Sequence, residues 1–368
     1  MAEDFMALAL RLAARARGRT SPNPMVGAVV VKDGRVVGQG FHPKAGEPHA
    51  EVFALREAGE RARGAILYVT LEPCSHYGRT PPCVDAIIKA GIAEVHMAMI
   101  DPNPRVAGRG KQILEAAGIR VVVGEREAEA RRLNETYIHW ITTRRPFVIA
   151  KFAMSLDGKI ATSTGDARWI TGPQARRRVH EVRNEVDAIL VGVNTVITDD
   201  PRLTTRLDRA DVRHPLRVIL DSRGRIPLTA RVLDPTLPGK TVVATTAAMP
   251  KGTQRALMER GVEVWVLPEQ GGKVDIGALL ERLGAQEITS LLVEGGSAVL
   301  GSFFAGGWVN KVMAFIAPVI IGGEKAPGPV GGAGVAYLAD AWRLREVLVE
   351  RVGDDVLITG YPVVSRST

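Results

Sequence analysis

The sequence predicts two successive α/β domains. A chain of 368 residues is long enough for about two domains, each with its own core. In both halves, short apolar runs bounded by turn residues alternate with stretches of helical apolar spacing. Between the halves, Thr142-Thr143-Arg144-Arg145-Pro146 is a polar stretch closed by proline. The boundary is placed there, giving domains of residues 1–145 and 146–368.

In the first half, Phe5 to Arg15 has apolar residues at helical spacing. Gly18 to Met25 is a loop. Val26 to Val31 is a strand, Lys32-Asp33-Gly34 a tight turn, and Arg35 to Phe41 the hairpin partner. His49 opens a helix through Arg61, with Val52, Phe53, Leu55 and Ala58 on its apolar face. Ile66 to Leu71 is a buried strand ended by Pro73. Cys83 to Ala90 is a helix and Glu94 to Ile100 a strand. Asp101-Pro102-Asn103-Pro104 is a loop, Gly110 to Ala117 a helix, and Ile119 to Val123 a strand. Glu125 to Trp140 reads as one charged helix. About five strands with interleaved helices suit a sheet covered on both faces.

In the second half, strands are expected at Phe147 to Lys151, Ala188 to Val193, Arg217 to Leu220, Thr241 to Thr245, Val262 to Leu267, Ser290 to Val293, Lys311 to Ile316 and Arg351 to Thr359. Helices are expected at Gln174 to Glu185, Thr253 to Arg260, Ile276 to Leu283 and Ala298 to Ala305. Gly322-Gly323 and Gly331-Gly332 read as mobile loop.

Chemistry concentrates between His49 and Cys83, a stretch that holds both cysteines of the chain. One histidine, two thiolates and a nearby carboxylate that is not a ligand are what a zinc deaminase needs. Three protein ligands leave the fourth zinc position open, as in catalytic sites. The helix opened by Cys83 follows Pro81-Pro82, and its positive end favours a thiolate. Glu51 falls in the first turn beside His49, free to move protons. The usual Cys-x-x-Cys is stretched by the insert Ser75 to Pro82. A different reading, a nucleic-acid module with a structural zinc, needs His42 or His76 as a fourth ligand.

Bulk properties narrow the function. Two cysteines exclude a disulfide framework and fit a reducing compartment, the cytoplasm. No apolar run approaches the roughly 20 residues that span a bilayer, and no membrane partner is expected. The net charge of +8 is not accompanied by basic runs interleaved with aromatics, which are 5% of residues. Nucleic acid is therefore not the expected partner. Anionic small substrates such as phosphate esters account for the charge, as does an arginine-rich solvated surface. In the second half, Val293-Glu294-Gly295-Gly296-Ser297 ends a strand and opens a helix, where backbone N–H groups can meet a phosphate. Lys151, Asp157 and Asp199-Asp200 follow strands, where ligands of open α/β sheets gather.

Taken together, Pro22-Asn23-Pro24-Met25-Val26-Gly27, His49-Ala50-Glu51, Glu72-Pro73-Cys74 through Pro82-Cys83 and Asp101-Pro102-Asn103-Pro104 resemble the first half of the bifunctional riboflavin-biosynthesis deaminase–reductases. Ser155-Leu156-Asp157-Gly158-Lys159, Trp169-Ile170-Thr171, Arg183, Asn194-Thr195-Val196, Asp199 through Arg206 and Glu294-Gly295-Gly296 resemble the second half. The long insert is that family's own form of the motif. The resemblance implies a cytidine-deaminase-like domain followed by a dihydrofolate-reductase-like domain that binds NADPH without a Rossmann fingerprint. It implies deamination of a diaminopyrimidinone carrying a phosphoribosylamino group, then reduction of the ribosyl group to ribityl.

On the same ground, His49, Cys74 and Cys83 would hold zinc (Zn2+), and Glu51 would move the proton from water to the leaving ammonia. Asn23 and His76 would touch the base. Ala153, Trp169, Thr195, Asp199, Ser222, Gly296 and Ser297 would touch the cofactor. Lys151, Ala167, Arg183, Leu203, Arg206 and Glu294 would touch the substrate, with Arg183 and Arg206 both on its phosphate. Ala167 stands where the family usually has serine, so that contact uses backbone or is lost. A homo-oligomer is expected. The alternative function is a zinc deaminase of another base with an accessory nucleotide-binding domain.

Overall fold

The computed structural model describes residues 4–76, 81–104 and 106–364. It divides into two compact units between Arg144 and Arg145.

The first unit runs α1 (Phe5–Ala14), β1 (Gly27–Lys32), β2 (Arg35–Phe41), α2 (Ala50–Ala58), β3 (Ile66–Val69), α3 (Cys83–Ala90), β4 (Glu94–Met97), α4 (Arg109–Ala116), β5 (Arg120–Val123), α5 (Glu127–Leu133) and α6 (Glu135–Thr143). Its five-stranded sheet has the order β2-β1-β3-β4-β5. The β1–β2 pair is antiparallel and turns at Asp33 and Gly34, with φ of 49° and 73°. Two left-handed residues in a row make the two-residue turn that matches strand twist. β1 also pairs antiparallel with β3, while β3–β4 and β4–β5 are parallel. Apolar clusters cover the two faces. One joins α2, α3 and α4 residues such as Ala54, Ile87 and Leu114 to Val30, Leu67 and Val95. The other joins α1 to Val29, Val31 and Met99. α2 lies hard against β2: a Cβ at Gly38 would sit 2.2 Å from the Ala54 carbonyl oxygen, and one at Gly40 2.7 Å from that of Ala50. This contact fixes the start of α2, where the site begins.

The single helix expected from Glu125 to Trp140 is two helices, broken at Asn134. Asn134 is buried and its backbone leaves the helical region. Its side-chain amide accepts from Met25 N at 2.8 Å and donates to Met25 O at 2.9 Å. An asparagine that pairs with a distant backbone in this way competes with helix continuation.

The second unit runs β6 (Phe147–Ser155), α7 (Pro173–Glu185), β7 (Ala188–Gly192), α8 (Val193–Asp199), β8 (Leu216–Leu220), β9 (Thr241–Thr245), α9 (Lys251–Glu259), β10 (Glu263–Val266), β11 (Glu269–Gln270), β12 (Lys273–Val274), α10 (Ile276–Ala285), β13 (Ser290–Gly295), α11 (Ser297–Ala305), β14 (Lys311–Ala317), β15 (Trp342–Val352) and β16 (Asp355–Val364). The large sheet has the order β10-β9-β8-β7-β13-β6-β14-β16-β15. Every pair from β10 to β14 is parallel. β14–β16 and β16–β15 are antiparallel. The expected strand from Arg351 to Thr359 is a hairpin whose turn falls at Gly353. Its first arm, β15, escapes an apolar-run reading because its residues are mostly exposed and mixed with charge. Gly322 and Gly331 are fastened rather than loose. Asp157 accepts from Ile321 N at 3.1 Å and Gly322 N at 2.7 Å, and Gly331 N donates to Ser297 O at 2.9 Å.

The parallel strands all point their C-terminal ends to one edge. β13 is inserted between β6 and β7, so the connections leave β6 and β7 on either side of it. A crevice at such a switch of strand order is where open α/β sheets bind ligands.

Candidate active sites

In the first unit, His49 is the extended residue that precedes α2, with φ −74° and ψ 164°. Cys83 is the first residue of α3, after Pro82. Cys74 lies on the stretch leaving β3. His49 Nδ1 is 3.5 Å from Cys74 Sγ and 3.3 Å from Cys83 Sγ. The three ligand atoms lie within 4.8 Å of one another. One nitrogen and two thiols in this spacing fit a tetrahedral zinc ion with one position open. The two thiols share their protons unequally. The hydrogen bond from Cys83 lowers the pKa of Cys74, against its burial, and His49 adds to the lowering. Donation to Cys74 and burial raise that of Cys83.

Glu51 is 3% exposed in the first turn of α2. Its pKa is pushed up to about 7, by burial first and the Cys74 charge second. Its Oε2 has no hydrogen-bond partner among the described residues. A buried carboxylate oxygen without a partner, poised near neutrality, suits a group that takes and returns a proton.

His42 does not supply a fourth ligand. Its Nδ1 is 3.0 Å from Pro48 O and its Nε2 is 3.1 Å from Asn23 Nδ2. The carbonyl requires Nδ1 to donate, so Nε2 accepts from the Asn23 amide. His76 is exposed on the loop after Cys74. Tyr77 to Thr80 of the expected insert lie outside the described residues.

In the second unit, the expected residues gather at the C-terminal edge of the sheet. Glu294, near the end of β13, receives Arg183 of α7 through two bonds, from Nε and Nη2, each 2.7 Å. Arg183 Nη1 donates to Thr204 O at 3.2 Å. Lys151 Nζ of β6 is 3.9 Å from Glu294. Burial lowers the Lys151 pKa. The expectation that Arg183 and Arg206 share a phosphate meets a physical obstacle, since the Arg183 fork is already closed on a carboxylate. Arg206 is the exposed one of the two, and its backbone N–H donates to His180 Nδ1 at 3.2 Å. Burial, then the charges of Arg183 and Arg206, push the His180 pKa down to about 4. Leu203 is buried with φ 55°. A bulky residue in the left-handed region costs on the order of 1–3 kcal/mol, and such residues cluster at binding sites.

The expected cofactor positions follow β6, β7, β8 and β13, which are neighbours in the sheet. Ala153 lies in β6, and Thr195 in α8 after β7. Ser222 follows β8, where its Oγ accepts from Val274 N at 3.1 Å. Gly296, with φ 84°, and Ser297 open α11. A Cβ at Gly295 would lie 3.1 Å from Thr195 Oγ1, so the turn and α8 are in close contact. Asp199 ends α8, and its carbonyl accepts from the Arg168 guanidinium. Trp169 is 68% exposed, with Arg176 stacked 4.6 Å from its ring centre. Ala167 is half-buried in the same loop. An aromatic platform, a helix start after a glycine turn and a row of strand ends fit an elongated dinucleotide.

His180, which contacts Arg206, was not singled out from sequence, and His42 was weighed there only as a fourth zinc ligand. His180 had a signal: it lies three residues before Arg183, on the same helix face. The pairing of His42 with Asn23 had no signal beyond the place of His42 after β2.

Two family models match this chain. Residues 1–99 match the cytidine and deoxycytidylate deaminase zinc-binding region, and residues 146–358 match the RibD C-terminal domain. Riboflavin biosynthesis protein RibD of Aquifex aeolicus is 47% identical over 97% of both chains. That of Escherichia coli is 44% identical over 97% of this chain and 98% of its own. Among solved structures, Acinetobacter baumannii RibD superposes with a TM-score of 0.87 at 41% identity, covering 98% of each chain. A diaminohydroxyphosphoribosylaminopyrimidine deaminase/5-amino-6-(5-phosphoribosylamino)uracil reductase from Thermotoga maritima does so with a TM-score of 0.85 at 39% identity, again over 98% of each. A cytidine-deaminase-like zinc domain is followed by a dihydrofolate-reductase-like, NADPH-dependent domain. The chain belongs to the RibD family of bifunctional deaminase–reductases of riboflavin biosynthesis.

Proposed function

We propose that residues 1–145 deaminate 2,5-diamino-6-(5-phosphoribosylamino)pyrimidin-4(3H)-one and residues 146–368 reduce the product. The observation that carries the reading is the triad of His49, Cys74 and Cys83 with the unpartnered Glu51 oxygen beside it. Zinc held by the triad supplies, when bound, a Lewis acid that acidifies water toward neutrality. Glu51 takes the proton of the attacking water and delivers it to the departing ammonia. Asn23, oriented by His42, and His76 hold the base.

In the second domain NADPH supplies the reducing equivalent. The turn Gly296-Ser297 would receive its phosphates, and Ala153, Trp169, Thr195, Asp199 and Ser222 would line the rest of it. Glu294, clamped by Arg183, and Lys151 face the ribose, where Lys151 is placed to move a proton. Leu203 and backbone at Ala167 border the substrate, and Arg206 takes the phosphate. Incubation of pure protein with the diamino substrate tests this by mass analysis. Without NADPH the product is the deaminated ribosyl compound, and with NADPH it is the ribityl compound. A product that stays unreduced with NADPH present sinks the second assignment.

The partner is a small phosphorylated pyrimidine, with no role for nucleic acid or membrane. No described helix is long and apolar enough to cross a membrane. We place the enzyme in the cytoplasm, since both thiols are needed reduced. Recovery in a membrane or periplasmic fraction would contradict this. We also propose a homo-oligomer. β15 is the outermost strand, and its Val347, Leu348 and Val349 are 51%, 51% and 61% exposed. An outer strand edge that carries this short exposed apolar run offers a place for a second copy. Sedimentation of a monomer at micromolar concentration would refute it.

A further inference from the structure

Glu72 lies two residues before Cys74 and is 6% exposed. Both of its carboxylate oxygens are engaged. Oε2 accepts from Asp101 N at 3.1 Å and Gly108 N at 2.9 Å, and Oε1 accepts from Lys111 N at 3.1 Å. Gly108 precedes α4 and offers no side chain to cap it. Glu72 thus supplies, from another element, the acceptor that a helix start requires at its positive end. Gly110, in the same turn, packs on the next peptide. A Cβ there would lie 2.3 Å from Pro73 O. Asp101, in turn, accepts from Asn103 N at 2.9 Å and the Tyr137 hydroxyl at 3.0 Å.

On its other side Cys74 is bonded to α3, and its thiol meets His49 Nδ1 at 3.5 Å. Val84 N donates to Cys74 O and Cys83 N to Cys74 Sγ, each at 3.3 Å. Those bonds fix Cys74 relative to Cys83. They do not reach His49, which precedes α2 and meets the two thiols through its Nδ1 at 3.5 and 3.3 Å. β3 has already ended at Val69, so the sheet holds Cys74 through the residues just before it.

We propose that Glu72 is a positioning residue of the metal centre. By fastening the Glu72–Pro73–Cys74 stretch to α4 and to the loop opened by Asp101, it sets the place of Cys74 Sγ relative to His49. Glu72 itself touches neither metal nor substrate. The inference rests on His49, Cys74 and Cys83 being the zinc ligands.

The test uses the full-length protein loaded with Co2+, whose thiolate absorption bands report ligand geometry. Glu72→Gln keeps the shape but turns one acceptor into an amide NH2 facing an N–H. Its metal affinity should fall roughly 10- to 100-fold, the usual consequence of losing an outer-shell support, and chelator should strip the metal faster. Its thiolate band should shift, and reduction of pre-deaminated substrate should stay at the wild-type rate. Gly110→Ala pushes the same peptide from the helix side and should move both metal readouts the same way. It decides the question if Glu72→Gln does not fold. Lys111→Ala, which removes only a side chain paired with Glu115, should move neither. Wild-type stripping rates and unshifted bands in a folded Glu72→Gln or Gly110→Ala protein overturn the proposal. Unchanged cobalt bands in Cys74→Ser would instead overturn the ligand assignment on which it rests.

Discussion

The two sites of this chain are built by opposite means. The metal site uses residues from a single short stretch, 49 to 83, and its donors converge within 4.8 Å. The residues proposed for the reductase site come from strand ends and helices between Lys151 and Ser297, with no single atom as a centre. Its organising contact is the closed Arg183–Glu294 pair. A coordination site fixes residue type and distance together, so one wrong atom removes the function. A distributed binding site divides its work over many contacts, so single changes should be graded.

That contrast orders the expected effects. Glu51→Gln should retain metal while deamination falls by about 10² to 10⁴, the usual worth of a positioned acid–base group. Loss of metal would show Glu51 to be a ligand and blur the contrast. Arg183→Ala comes next. It leaves Glu294, whose side chain is 6% exposed, with Lys151 alone at 3.9 Å. Removing one partner of a buried pair costs about 3–5 kcal/mol, so the reductase transition should melt several degrees lower and its turnover should fall. An unchanged melting temperature would mean the pair is not the organising contact.

Arg206→Ala is a smaller test. Losing a charge-assisted bond to phosphate costs about 1.5 to 3 kcal/mol, read as a tenfold to hundredfold rise in KM for the phosphorylated substrate. Arg206→Lys should recover part of it, and the KM for NADPH should not move. If NADPH binding weakens instead, Arg206 belongs to the cofactor.

The smallest effect is a pH slope. His180 is held neutral down to about pH 4 in the folded state, against an ordinary value near 6.5. The unfolded chain therefore binds more protons between these values. The contribution is fully present above about pH 6.5 and is lost as pH falls toward 4. His180→Gln should flatten this part of the stability curve, and an unaltered slope would assign it to other groups.

The same contrast governs what could be read from sequence. The metal site was legible because its ligand types are rare in the chain and closely spaced. The parallel sheet was legible because buried strands such as Ala188–Gly192 are continuous apolar runs. The break of the α5–α6 stretch was not, since it depends on Asn134 meeting Met25, 109 residues away in sequence. β15 was not, because a mostly exposed strand of mixed charge carries no core pattern. The closing of Arg183 on Glu294 was not, because sequence names a charged residue but not the partner that occupies it. Likewise Gly331 reads as loose loop in the sequence, because its bond to Ser297 O comes from the fold.

The most direct test of two independent sites is to strip the metal with chelator and assay both half-reactions on the same sample. The account predicts that deamination disappears and returns with added zinc, while reduction of pre-deaminated substrate by NADPH continues at the untreated rate. Loss of both activities from protein that remains folded would contradict it.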